Sequence, residues 1–271
     1  MQKRLVVSVV AIVLVVGALV SGGSWLLQRS AKTPTPEASV IGGDIEAAQA
    51  QLDAGEFVAA KATLEQLVAQ NDKDAEAHFL LGLACFNLQE YDKARESFNR
   101  SLALDPGRGA AVHHNLGVLA YQLGDLTTAV AEFQAALAID AQDADSHYQL
   151  GATYLVLAFP AGALQPDADY LAKSQSEFEL ALQSAPNKPE ALVGLANIHI
   201  FQNRVDEAIA LLEEALEQSP DMREALFALG RAYAVAGQNA QARETLQRFL
   251  DTNPPEVWAQ EAQQLLGQLD Q

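Results

Sequence analysis

Two patterns of apolar and polar positions divide the chain. From Leu5 to Leu27 a run of 23 residues, LVVSVVAIVLVVGALVSGGSWLL, carries no charge. At about 1.5 Å per residue, a helix of that length crosses a hydrocarbon layer of roughly 30 Å. Lys3 and Arg4 precede the run, and Trp25, Arg29 and Lys32 sit at its other end, as suits a membrane interface. The pattern predicts one transmembrane helix over 5–27, after a basic flank at 1–4 and before a Pro-, Thr- and Ser-containing linker at 28–43. The alternative is a cleaved signal peptide, which would leave the chain secreted or periplasmic. Signal-peptide apolar cores are shorter, about 7–15 residues, and Ser21 to Ser24 make a poor cleavage site. With the terminal amine counted, the basic margin between the two flanks is one charge in favour of an inside N-terminus. The expectation is a single-pass protein of the inner or plasma membrane whose remaining residues lie outside the cytoplasm.

Beyond the linker, apolar residues return at helical spacing and in a longer period. Leu81-Gly82, Leu116-Gly117, Leu150-Gly151, Leu195-Ala196 and Leu229-Gly230 are 35, 34, 45 and 34 residues apart. In step with them, Ala60, Ala94, Ala129, Ser174, Ala208 and Ala242 are each followed four residues later by Leu64, Phe98, Phe133, Phe178, Leu212 or Leu246. A third series, Asp72, Pro106, Ala141, Pro186, Pro220 and Pro254, closes each unit. A small residue on one helix allows a second, antiparallel helix to approach, and the large residue of the other series fills the space between. Gly55, Gln89, Gly124, Asn203 and Gly237 mark tight turns between the two helices, mostly residue types that tolerate a left-handed backbone.

These residues resemble the tetratricopeptide repeat family, whose unit of about 34 residues is helix, turn, helix with W-x2-L-G-x2-Y, A-x3-F and P. The resemblance implies an all-α, right-handed solenoid over 44–271, with repeats at 41–74, 75–109, 110–143, 144–188, 189–222 and 223–256. The first unit carries Ala47-Ala48 in place of Leu-Gly, as an atypical terminal repeat would. Residues 255–269 read as a capping helix, with Val257, Leu265 and Leu266 inward. The fourth unit is longer by 11 residues, and Pro160 and Pro166 place the excess in a loop at 157–169.

Charge and chemistry change the picture in one direction. The chain holds 17 Lys and Arg against 35 Asp and Glu, a formal charge of -18. The first 36 residues carry four basic and no acidic side chains, so residues 37–271 carry the whole acidic excess. Nucleic acid is excluded as a partner for want of a basic stripe. One Cys gives no disulfide framework. His78, His113 and His147 stand one repeat apart at the position the family gives to Trp, too far apart for one metal ion, and are expected between the helices of their own units. His199 and Cys85 fall at the family's Tyr position. Asp143/Asp145 and Asp167/Asp169 lack the Gly and distal Glu of a calcium loop and suit helix capping. With no phosphate loop, nucleophile elbow, zinc or haem motif present, neither enzymatic activity nor a cofactor is expected.

The resemblance implies that the first helix of each unit lines a concave face. Counting two before, two after and five after each Leu of the Leu-Gly series gives Phe79, Leu83 and Phe86; His114, Val118 and Tyr121; Tyr148, Ala152 and Leu155; Val193, Asn197 and Ile200; and Phe227, Arg231 and Ala234. This lining is mostly apolar, with Arg231 its one strong cation, so the Lys, Arg and Asn set with which some family members hold a chaperone's terminal carboxylate is incomplete. Glu76, Asp145, Glu190 and Glu224 are expected along its rim. The expected function is that of an anchored scaffold that holds a protein or peptide segment with apolar anchors and basic flanks, assisting assembly of an envelope complex. A holdase for exported chains is the alternative.

Overall fold

The computed structural model describes residues 45–160 and 165–269. The expected basic flank, transmembrane helix, linker and the middle of the insertion lie outside them. Among the described residues there are thirteen α-helices and one short 3-10 turn, and no strand. No helix among them is long and apolar enough to cross a membrane. They form two compact units, residues 45–141 and 142–269.

The first unit contains α1 (Ile45–Asp53), α2 (Phe57–Gln70), α3 (Ala75–Asn87), α4 (Tyr91–Leu104), the 3-10 turn Pro106–Arg108, α5 (Gly109–Gln122) and α6 (Leu126–Ile139). The second contains α7 (Ala144–Ala158), α8 (Ala168–Ser184), α9 (Pro189–Phe201), α10 (Val205–Gln218), α11 (Arg223–Val235), α12 (Asn239–Asp251) and α13 (Glu256–Leu269). Each odd-numbered helix up to α11 packs most extensively on the even-numbered helix that follows it.

The landmark series explain that pairing. A Cβ built on Gly82 would stand 2.5 Å from the Phe98 ring, one on Gly117 2.7 Å from Phe133, and one on Gly151 2.9 Å from Phe178. These glycines hold open the space their repeat's Phe occupies, and all three Phe rings are fully buried. Phe178 also faces Gly194 of the next repeat, where a Cβ would fall 2.6 Å away. In the last two repeats the large partner shrinks: Gly230 faces Leu246, and Ala196 stands in the glycine position of the repeat that carries Leu212.

The five expected turn residues all have positive φ: Gly55 75°, Gln89 61°, Gly124 77°, Asn203 62° and Gly237 75°. Each lets the following amide reach back five residues, as in Glu56 N–H to the Gln51 carbonyl at 2.8 Å and Gln238 N–H to the Tyr233 carbonyl at 2.9 Å. The orphan carbonyls at the end of the first helix are thereby satisfied. Helix starts are fastened by carboxylates: Asp74 accepts from Ala77 N–H, Asp125 from Thr128 N–H, Asp143 from Asp145 N–H, and Asp167 from Asp169 and Tyr170 N–H. The Asp-x-Asp pairs are therefore caps, as their spacing suggested.

Successive repeats within a unit are tied by recurring polar bonds. Arg100 donates to the Asp72 carbonyl at 3.2 Å and Arg248 to the Pro220 carbonyl at 3.1 Å, each reaching back 28 residues to the end of the preceding repeat. Lys61 on α2 donates to Glu90 at 2.6 Å, just before α4.

Two details differ from the sequence reading. In α13 the inward residues are Trp258 and Ala262, one helical turn apart, whereas Val257 is 58% exposed and Leu265 and Leu266 are half-buried. The indole is drawn in because it stacks on Phe227 and Phe249, at 5.7 and 6.2 Å between ring centroids. The irregular part of the fourth repeat is also shorter than 157–169: α7 continues through Ala158 and α8 begins at Ala168. The Asp167 cap and its N–H to Ala158 carbonyl bond at 2.8 Å close the loop from both sides.

Candidate functional site

The offsets counted from the Leu-Gly series select two different environments. In residues 45–141 the positions fall on α3 and α5. Phe79, Leu83, Phe86, Val118 and Tyr121 are half-buried there, and His114 is buried. Their inner edges are fixed by the core. Phe79 leans on Phe98 at 5.8 Å between centroids, Phe86 on Tyr91 at 6.0 Å, and His114 meets Phe133 edge-on at 5.8 Å. The Arg108 guanidinium lies 5.9 Å above the Phe79 ring. Burial pushes the Tyr121 hydroxyl up to about 12, so it remains a neutral donor and acceptor at all physiological pH values. The outer faces of these side chains form an apolar strip held in place from behind.

In residues 142–269 the same offsets fall on α7, α9 and α11, and Tyr148, Ala152, Leu155, Val193, Asn197, Ile200, Phe227, Arg231 and Ala234 are all buried. Phe227 is only 1% exposed, with its ring 5.0 Å from Phe249 and stacked on Trp258. Tyr148 packs on Phe178 at 6.0 Å, with the Lys188 ammonium 5.5 Å above its ring. The Arg231 guanidinium covers the Phe227 ring at 5.6 Å. Burial pulls the Arg231 pKa below its ordinary value, opposed by the charge of Glu261 on α13, whose own carboxyl burial pushes up.

The rim differs in charge from what the acidic residues alone suggest. Glu76 pairs with Arg108, and Lys188 lies 2.5 Å from Asp145 and 3.9 Å from Glu190. Arg108 and Lys188 stand at the entries to α5 and α9, outside the three groove offsets, so counting along the first helices passes them over. The one sequence signal for them is the pairing of a rim acid with a cation near the end of the same repeat, Glu76 with Arg108 and Asp145 with Lys188. Met222 occupies the corresponding place before α11. Burial pushes the Glu224 carboxyl up there, with Glu190 adding to the effect and Arg223 opposing it.

The remaining chemistry-bearing side chains are absorbed by the packing. His113 and His147 each meet a Glu of their unit's second helix, Glu132 and Glu177, through Nδ1 at 2.7 Å, in the expected place between the two helices. His78 bonds the Asp72 carbonyl at 3.2 Å instead, because Ser97 occupies the position of that Glu in its repeat. Cys85 is buried, which pushes its thiol up and away from the nucleophilic thiolate. Among the described residues no cluster of three or more His, Cys, Asp or Glu could hold a metal ion.

Comparison with known families and structures agrees with this architecture. Three family models described as tetratricopeptide or TPR repeats match residues 45–109, 119–156, and 171–213 with 202–269. A BBSome complex member BBS4 homolog of Drosophila melanogaster is 25% identical over 196 residues, which is 70% of this chain. The chain spans 39% of that relative's length. Among solved structures, PilF of Pseudomonas aeruginosa superimposes with a TM-score of 0.68 at 19% identity, covering 81% of this chain and 94% of that one. PilW, described as a widely conserved type IV pilus biogenesis factor, gives 0.65 at 18% identity, covering 80% and 95%. YrrB, described as a TPR protein with an unusual peptide-binding site, gives 0.53 at 20% identity, covering 74% and 97%. At these identities the structural likeness establishes the fold alone.

Proposed function

Because the chain belongs to the tetratricopeptide repeat family, we propose that it is a scaffold that binds a segment of another protein on the inner faces of its first helices, without catalysis. The observation that carries this reading is the half-exposed apolar strip of Phe79, Leu83, Phe86, Val118 and Tyr121, held from behind by a fully packed core. Burying such a strip is favourable by about 25 cal/mol per Å² before the ordering of the partner is subtracted. The uncharged run 5–27 serves as a membrane anchor, placing the repeats outside the cytoplasm and raising their effective concentration near membrane partners. Assistance to assembly of an envelope complex is the process that best fits an anchored scaffold, and the likeness to a pilus biogenesis factor supports it.

The test is crosslinking of the full chain in its native membrane, followed by partner identification, in parallel with Leu83→Glu plus Val118→Glu. One partner at fixed ratio, lost in the double variant with helical circular dichroism retained, is the expected result. Suppressed aggregation of many unrelated unfolded chains would instead favour a holdase. Unchanged binding in the double variant would move the site off this face.

A further inference from the structure

At the entrance to α5, the apolar strip of residues 45–141 ends on a cation that the fold already holds. The Arg108 guanidinium lies 5.9 Å above the Phe79 ring, donates through Nη2 to Glu76 on α3, and has its Nε 3.5 Å from Asp105. A similar arrangement recurs in residues 142–269, where the Lys188 ammonium lies 5.5 Å above Tyr148 and is held by Asp145 and Glu190. The two copies differ in what stands beside the cation. Glu76, Asp145, Glu190 and Glu224 each lie five residues before the Leu of their repeat's landmark pair, but on α5 that place belongs to Ala111, which is exposed. The ring beneath differs as well, since Tyr148 is buried and Phe79 only half-buried. The Arg108 side chain accordingly keeps 29% of its surface accessible, against 18% for Lys188. Among the described residues, Phe79 is the one ring lying against Arg108.

What a bound chain can offer this guanidinium follows from its surroundings. Two carboxylates already serve it, so a third would meet a local excess of negative charge, and a bound cation would meet the guanidinium itself. The face of a guanidinium is weakly hydrated and attracts the electron-rich face of an aromatic ring. With Phe79 on one side and only the methyl of Ala111 in the place of a rim acid, the side turned away from Phe79 is left for such a ring. A ring stacked there would also bury its apolar area against the end of the strip. Resting on the reading of this strip as the binding surface, we propose that Arg108 seats one aromatic side chain of the bound segment, Phe, Tyr or Trp, on the side of the guanidinium opposite Phe79. Arg108 is then a specificity-determining residue, and the anchor at this end of the segment is a neutral aromatic rather than the basic group that Glu76 alone would select.

The full chain can be tested by selection from a displayed library of random dodecapeptides. The expected result is one position fixed as Phe, Tyr or Trp. Replacing that residue by cyclohexylalanine, which keeps apolar volume and loses the π face, should weaken binding of the synthetic peptide about fivefold. Arg108→Met should bring the two peptides to equal affinity, whereas a purely structural role would lower both alike and preserve the margin. Arg108→Lys keeps the charge facing Glu76 but loses the planar face, and should narrow the margin even where the Met variant folds poorly. Absence of a fixed aromatic position, or a cyclohexylalanine penalty that persists in both variants, overturns the aromatic seat; loss of binding in Leu83→Glu plus Val118→Glu would then leave the binding surface itself standing. Selected peptides that bind this double variant as well as the unaltered chain, or no selection at all, overturn the surface and the seat with it.

Discussion

At the scale of single residues, the repeat is set by where a Cβ is tolerated and where it is not. Gly82 could not become Ala without a methyl 2.5 Å from the Phe98 ring. Gly82→Ala should therefore destabilise by about 1–3 kcal/mol, an overpacking cost. Combining it with Phe98→Leu should recover part of that loss, because the Ala196 and Leu212 repeat already uses the smaller pair. Urea denaturation of both single variants and the double closes the cycle, and strict additivity would show that the two sites do not share one space. Gln89 makes the opposite case, since its φ of 61° imposes a strain that glycine escapes. Gln89→Gly should stabilise by about 0.5 kcal/mol, the strain relieved less the entropy glycine loses. A lower urea midpoint in Gln89→Gly would deny that strain is the dominant effect there.

At the scale of elements, charges and caps decide how repeats join within a unit. Arg108 pairs with the rim acid Glu76 and Lys188 with Asp145 and Glu190, whereas Met222, at the corresponding place, supplies no such cation to Glu224. Glu224 has a raised carboxyl pKa in the folded chain, from burial first and Glu190 second. The folded state therefore holds the Glu224 proton more tightly than the unfolded state. Stability from this group is complete below the unfolded carboxylate pKa of about 4.3 and is lost as pH rises through the folded value. Glu224→Gln should raise the thermal midpoint near neutral pH and have a smaller effect in mild acid. An equal shift at both pH values would refute the assignment. Met222→Lys should give a similar gain at neutral pH by supplying the absent cation. In α13, Trp258 fills the end of the second unit against Phe227 and Phe249. Trp258→Ala should cost about 3–5 kcal/mol, whereas Val257→Ala, at a largely exposed site, should be nearly silent in the same melt.

At the scale of the molecule, the charge of -18 averages a basic N-terminal stretch with an acidic remainder. An acidic domain is repelled by anionic headgroups and so favours standing off the membrane that 5–27 is proposed to cross. A reporter active only outside the cytoplasm, fused after Gln271, should be active; signal from a cytoplasmic reporter alone would reverse the proposed topology. The rim is less acidic in effect than the residue count suggests, since intramolecular cations occupy Glu76, Asp145 and Glu190. Partner charge is therefore decided by the few groups left unpaired.

The period of small and large residues, the turn positions and the Asp143 and Asp167 caps were legible in the chain, because each depends on spacing within one repeat, whereas the caps by Asp74 and Asp125 emerged only in the structure. His113 and His147 could be placed between the two helices for the same reason. The sequence could also number the positions of each first helix from their offset to a Leu-Gly pair. Only the tertiary structure decided which of those positions are covered. Phe79 and Phe227 hold the same place in their repeats, yet one is half-buried and the other lies under Trp258. The inward turn of Trp258 rather than Val257, and the neutralising reach of Arg108 and Lys188, were likewise invisible to periodicity. Periodicity reports which face of a helix a residue occupies, whereas burial and charge pairing depend on which other residues come to lie against that face.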